Sequence, residues 1–224
     1  MKRNTIFLLM SVIVLAFFSG CNPEEVKEEG ILINSVRWAT CNVGTHGQFV
    51  ANPEDFGGYY QWGRKGDGHE QPTSDTTGTL STTNTPSHGN FILNHDEPYD
   101  WRTPQNDNLW GIVKTANDPC PAGWRVPTQD EYTSLVHSKS SWGELNGVVG
   151  RFFGSGEQKL FLPAAGRRNY NNGSLGNTGT DGAYWSITSY EIYAYYLNFN
   201  NGSIYSSYHN SRAYGFSVRC VKEK

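Results

Sequence analysis

The first twenty residues decide the environment in which the rest of the chain must fold. Lys2 and Arg3 precede an apolar run from Ile6 to Phe18, which Ser19 and Gly20 close with small side chains. A positive start, a short apolar middle and a small-residue end make a secretory signal, and the run is too short to cross a hydrocarbon core of roughly 30 Å. Residues 1–20 therefore drop out of the fold. The remainder matures where thiols oxidise and cysteine pairs persist. Losing Lys2 and Arg3 moves the formal net charge from −3 to −5. Such a chain has no basic excess to attract nucleic acid.

Phe18-Ser19-Gly20-Cys21 resembles the lipobox of bacterial lipoproteins. In that class the signal is cut before the cysteine, whose thiol then carries diacylglycerol. The resemblance implies lipidation at Cys21 and a membrane held through acyl chains, each buried CH₂ contributing about 0.8 kcal/mol. Residues 21–30 are polar and acidic and suit a short tether. Acidic residues just after the cysteine also resemble the surface-export signals of Bacteroidota lipoproteins. The expected location is the outer membrane, facing the cell surface or the periplasm.

Residues 31–224 suit one domain. Charged residues make only 17% of the chain and aromatics 14%. Disordered segments show the opposite balance, so a loop-rich body with a core of rings is expected. Pro127, Thr128 and Glu131 mark a helix start with a capping box, and Tyr132, Leu135 and Val136 supply its buried stripe. A second helix is expected near Asn108–Lys114. Strands are expected at Ile31–Trp38, Tyr59–Trp62, Val148–Phe153, Lys159–Leu162, Ala183–Ile187, Ala194–Asn198, Ser203–Ser207 and Phe216–Val221. Residues 64–100, poor in apolar groups, predict a long surface insertion. A helical region followed by a strand-rich half predicts an α+β fold.

With Cys21 lipidated, Cys41, Cys120 and Cys220 remain, and three thiols cannot all pair. One bridge and one buried free cysteine are expected. No cysteine or histidine spacing suits a metal site, so neither metal nor cofactor is expected.

Three groups of segments then point to a family. They are WATCNVG (Trp38–Gly44) with PEDFGGYYQWG (Pro53–Gly63), DPCPAGWRVPT (Asp118–Thr128), and FLPAAGR (Phe161–Arg167) with Tyr184-Trp185-Ser186 and YGFSVRCV (Tyr214–Val221). Together they resemble the Fibrobacter succinogenes major paralogous domain, common in exported Bacteroidota lipoproteins. The resemblance implies a single C-type lectin-like domain over 31–224, with short antiparallel strands, one or two helices, long loops and adjacent chain ends. It also implies a Cys120–Cys220 bridge with Cys41 free, Cys41–Cys220 being the competing pairing. The family has no single established activity.

Calcium-dependent sugar binding would need paired carboxylate and amide tripeptides, and Trp185 is followed by Ser186-Ile187 instead. A metal-free site is expected on the loop holding Arg167, Arg168, Tyr170, Asn171, Asn172 and Asp181, whose donors, acceptors and ring suit hydroxyl-rich or peptide ligands. Thr76 in Asp75-Thr76-Thr77 resembles the O-glycosylation signal of Bacteroidota. Formylglycine-generating oxidases resemble the expected fold class but need a close cysteine pair that this chain lacks, and no nucleophile–base pattern accompanies its histidines. The expected function is a non-catalytic, lipid-anchored binding module for glycan or protein. The alternative is a structural or tip subunit of a fimbria-like surface assembly.

Overall fold

A computed structural model describes residues 30–156 and 158–223. The export signal, Cys21 and the tether before Gly30 lie outside the described residues. The chain forms, in order, β1 (Ile31–Ile33), β2 (Val36–Asn42), β3 (Tyr60–Gln61), β4 (Thr76–Thr77), β5 (Phe91–Ile92), β6 (Trp124–Arg125) and α1 (Gln129–Val136). There follow β7 (Ser140–Leu145), β8 (Val148–Ser155), β9 (Gln158–Pro163), β10 (Arg167–Arg168), β11 (Leu175–Gly176), β12 (Gly182–Tyr190), β13 (Tyr193–Phe199), β14 (Ile204–Ser211), β15 (Gly215–Phe216) and β16 (Arg219–Lys222). Strand accounts for 40% and helix for 4%. The α+β expectation is therefore wrong: this is a mostly β fold of small sheets with one eight-residue helix.

That helix starts where the capping box places it. Thr128 Oγ1 accepts from Glu131 N, and Glu131 Oε2 accepts from Thr128 N at 2.8 Å. Tyr132 and Leu135 are buried. The second expected helix does not form. Helical spacing would put Leu109, Ile112 and Val113 on one face, whereas Leu109 and Trp110 are both buried and Ile112 and Val113 both exposed. The segment is instead a loop, in which Trp110 Nε1 donates to Asn117 O and Thr115 Oγ1 to Leu109 O.

The chain ends do lie together. The terminal sheet runs β1-β2-β16-β6, with Val221 opposite Trp38 and Arg219 opposite Asn42. The single strand expected from Ile31 is a hairpin, turned at Asn34 and Ser35, both in the left-handed region at φ 48° and 67°. Cys120 and Cys220 form a disulfide that ties the approach to α1 to the last strand. Cys41, expected as a free thiol, is disulfide-bonded too, and none of the described cysteines is free.

Sheet β12-β13-β14 separates two cores. Strand alternation sends Trp185, Ala194 and Tyr196 into one, with Trp62, Trp110, Trp124 and Phe216. It sends Tyr184, Leu197 and Phe199 into the other, with Trp38, Tyr132 and the β8–β9 hairpin residues Phe153 and Leu160. Residues 64–100, expected as a surface insertion, are tied into the body at both ends, while none of residues 71–90 is buried. Phe91, Ile92, Arg64 and His69 are each fully buried, and Ile92 packs with Trp101 and Leu109 in a third cluster. Side-chain hydrogen bonds, invisible to an apolar count, supply their order.

Candidate functional site

The hairpin β10–β11 separates the two arginines expected to bind ligand, because neighbouring strand residues face opposite ways. Arg168 turns inward and is 2% exposed. Its guanidinium donates to the carbonyls of His69, Gln71, Ser74 and Gly173 at 2.6–3.1 Å and lies 4.3 Å over the Phe91 ring. Every direction of that cation is used for folding. Arg167 turns outward, donates to Asn169 Oδ1 at 3.3 Å and sits 5.9 Å from the Tyr214 ring centre.

The remaining expected residues divide between two places. Asn171 and Asn172 are exposed at the hairpin tip, where Asn172 Oδ1 accepts from Ser174 N and Oγ and so closes the turn. The half-buried Tyr170 packs its ring on Tyr214 at 4.5 Å. Asp181 accepts from the Asn177 amide and comes together with Arg167 in a small recess. Gly166, Tyr196, Asn198, Asn210 and Phe216 complete its lining. The recess holds about 20 Å³, room for roughly one water or one hydroxyl. A ligand must lie across it.

The surface around the recess is what the sequence reading missed. On β13 and β14, Tyr196 is opposite Tyr208, Asn198 opposite Tyr205 and Ala194 opposite Asn210. The face that buries Trp185 thus runs outward into amides and phenols. Tyr205 and Tyr208 stack at 4.5 Å and are 41% and 44% exposed. Behind them Trp185, Phe216, Tyr214 and Tyr170 form a continuous row with centroid distances of 4.2–5.3 Å. Burial raises the pKa of Tyr196 and of Tyr214, so both phenols stay protonated and available as donors. The available signal was the alternation Ala194, Tyr196, Asn198 with Tyr208 and Asn210, where an ordinary outer face would carry charges. Thr76, the expected glycosylation site, is exposed on β4.

One cluster among the described residues has metal-ligating types close together: Asp67, His69 and Glu70. His69 Nδ1 lies 2.7 Å from Asp67 Oδ1 and 3.5 Å from Glu70 Oε2, while its Nε2 accepts from Gln61 N at 3.1 Å. The accepting Nε2 fixes the proton on Nδ1, where it points at Asp67. A cation at Nδ1 would force a proton onto Nε2, against a backbone N–H. Burial, then the nearby Arg64 guanidinium, pushes the His69 pKa down to about 4, so the neutral ring is the resting form. The cluster suits a hydrogen-bonded fold contact better than a metal.

A second buried cluster joins Asp100 to Arg212. Asp100 Oδ2 and Arg212 Nη1 stand 3.8 Å apart and neither has a hydrogen-bond partner. Arg212 spends its other donors on the carbonyls of Glu191 and Tyr193 and on Asp107, and lies 4.5 Å over Trp62. Burial pushes the Asp100 carboxyl up to about 7 despite the opposing pull of Arg212.

No curated protein and no solved structure matches the chain. What it is similar to, over residues 150–221 and so across β8 to β15, the recess and its tyrosines, is a sequence family described as a domain of unknown function, DUF8237.

Proposed function

We propose that this chain is an exported, lipid-anchored protein of the cell envelope whose folded body is a non-catalytic binding module for glycan or protein ligands. The observation that carries the binding reading is the outward face of β13 and β14. There Asn198, Asn210, Arg167 and Asp181 offer donors and acceptors around a one-hydroxyl recess, and Tyr205 and Tyr208 present rings beside it. Planar amide, guanidinium and carboxylate groups match vicinal hydroxyls, and rings match the apolar faces of sugars or peptide side chains. All but Asp181, which immediately precedes β12, stand on paired strands, so little ordering is left for binding to offset.

The anchor reading rests on the signal and on Cys21. A sulfur that carries diacylglycerol cannot also form a disulfide, so the oxidised state of Cys41 makes the chemistry of Cys21 the decisive point. Intact-mass measurement of the exported chain, before and after reduction, separates the two: a thioether lipid survives reduction. Kinship with the paralogous-domain lipoproteins is carried by the sequence segments alone.

A glycan array probed with residues 22–224 tests the binding reading. Binding to a defined subset is expected, weakened about tenfold, or about 1.4 kcal/mol, by Tyr208→Ala or Arg167→Ala. Silence on the array with stoichiometric co-purification of an envelope protein would favour the assembly-subunit alternative. Turnover of an oxidase or hydrolase substrate would overturn both.

A further inference from the structure

We propose that the end of the body formed by β1, β16 and the loop 111–115 lies against the headgroups of a bilayer, with Ile112 and Val113 dipping into it. This rests on the lipid-anchor reading and adds an orientation to it.

Four large aliphatic side chains are exposed among the described residues: Leu32, Ile112, Val113 and Leu175. Three of them gather at one end. Ile112 and Val113, 69% and 84% exposed, line a groove of about 310 Å³ with Lys114, Arg125 and Glu223. Leu32 lines a neighbouring groove that shares Glu223 and adds Arg37 and Lys222. The loop is held firmly in this protruding shape. Lys114 Nζ donates to Asp118 Oδ1 and to the carbonyls of Cys120 and Trp124 at 2.7–2.9 Å, and Thr115 Oγ1 donates to Leu109 O. Two β-branched side chains are thereby presented to solvent on a fixed base, although isolated exposure alone would be unremarkable.

One further observation names the occupant. The chain leaves the described body toward Cys21 at this same end. Gly30 abuts Trp124 so closely that a Cβ would meet the indole at 2.9 Å, and its carbonyl accepts from Arg37 at 2.9 Å. Only eight residues separate Cys21 from Gly30, and at about 3.5 Å each they reach no farther than roughly 30 Å. An anchored chain therefore keeps this end near the membrane.

Hydrogen exchange tests the contact. The lipidated full chain is placed on vesicles of equal parts phosphatidylethanolamine and phosphatidylglycerol and compared with residues 22–224 free in buffer. Exchange in residues 111–115 should slow several-fold on vesicles. The paired variant Ile112→Asp, Val113→Asp should lose that protection while keeping its lipid mass and melting temperature. Lipidated Cys21 with unchanged exchange in 111–115 would overturn the contact and leave the anchor standing. Unmodified Cys21 would overturn both. Protection that grows with protein concentration in the lipid-free sample would assign the surface to a second copy of the chain and overturn the bilayer.

Discussion

The stretch before α1 and the stretch after β7 solve the same problem by different means. In β8 and β9 and in β12 to β14 the backbone is satisfied by long antiparallel ladders, such as β8 with β9 and β12 with β13. From β3 to β6 the strands are two residues long, and buried side chains supply the missing partners. Gln61 alone bonds the Ile92 N–H, the carbonyls of Ile92 and Ala213, and Arg64. Arg64 and Arg168 cap further carbonyls on either side. A ladder spreads its stability over many equivalent bonds, whereas a side-chain clamp concentrates it in one residue. The loop-rich half should therefore fail at single points.

The adjacent arginines offer the largest effect. Arg168→Ala leaves one buried and three part-buried carbonyls short of a donor, and each buried unsatisfied group costs about 1–3 kcal/mol. Partial relaxation makes a net loss of roughly 3–5 kcal/mol the expected result in denaturant unfolding. Arg167→Ala, one residue away, should cost less than about 0.5 kcal/mol. Equal losses would show that the clamp is not concentrated at Arg168. Replacing Cys120 and Cys220 together by Ala comes next. That bridge closes a span of 100 residues linking the two halves, and about 2–4 kcal/mol should be lost. A smaller loss would mean that the terminal sheet already holds the halves together.

How legible each half was follows from the same contrast. The ladders were readable because β8, β9, β12 and β13 carry alternating apolar residues bounded by Gly and Asn. The capping box was readable because its two polar residues act locally. The Arg168 clamp was not, since its partners lie as far as 99 residues away in sequence and backbone carbonyls leave no mark on composition. For that reason the buried ends of 64–100 looked too polar to be inside. The candidate site was half legible. Arg167 and Asp181 were chosen for their loop, but Asn198, Tyr205, Tyr208 and Asn210 join them only through strand pairing. Which of two neighbouring arginines faced solvent depended on register, which the sequence does not display.

The loop-rich half also carries the pH dependence, in two opposed parts. His69 has its pKa lowered to about 4 from 6.5. The unfolded chain then binds the extra proton between those values, so stability rises with pH from about 4 to 6.5 and is lost on acidification. Asp100 has its pKa raised from 3.8 to about 7. Here the folded state holds the extra proton, so stability falls as pH climbs through that window. The two slopes oppose each other in the parent chain, and His46, whose pKa burial also lowers, adds to the rise. Asp100→Asn should remove the falling part and expose a rise of roughly 2–3 kcal/mol between pH 4 and 6.5. Melting temperatures across that range check it; a flat profile for the variant would remove His69 from the account.

The ladder half should fail sterically instead, and by less. Gly182 pairs with Phe199 across β12 and β13, and a Cβ at Gly182 would come within 2.1 Å of the Phe199 ring. That ring lies in the second core, stacked on Tyr184 and edge-on to Phe153. Gly182→Ala must therefore push Phe199 toward residues that have no slack, at about 1–3 kcal/mol. Gly202→Ala is the companion measurement. Gly202 sits in the β13–β14 turn with only Asn200 Oδ1 within reach, at 3.8 Å, and should change stability by less than about 0.5 kcal/mol. Because the ladder bonds survive in both variants, the unfolding transition should stay cooperative and only its midpoint should move. A broadened transition in Gly182→Ala would mean that Phe199 also holds the two cores to each other, and the ladder half would then have a single point of failure of its own.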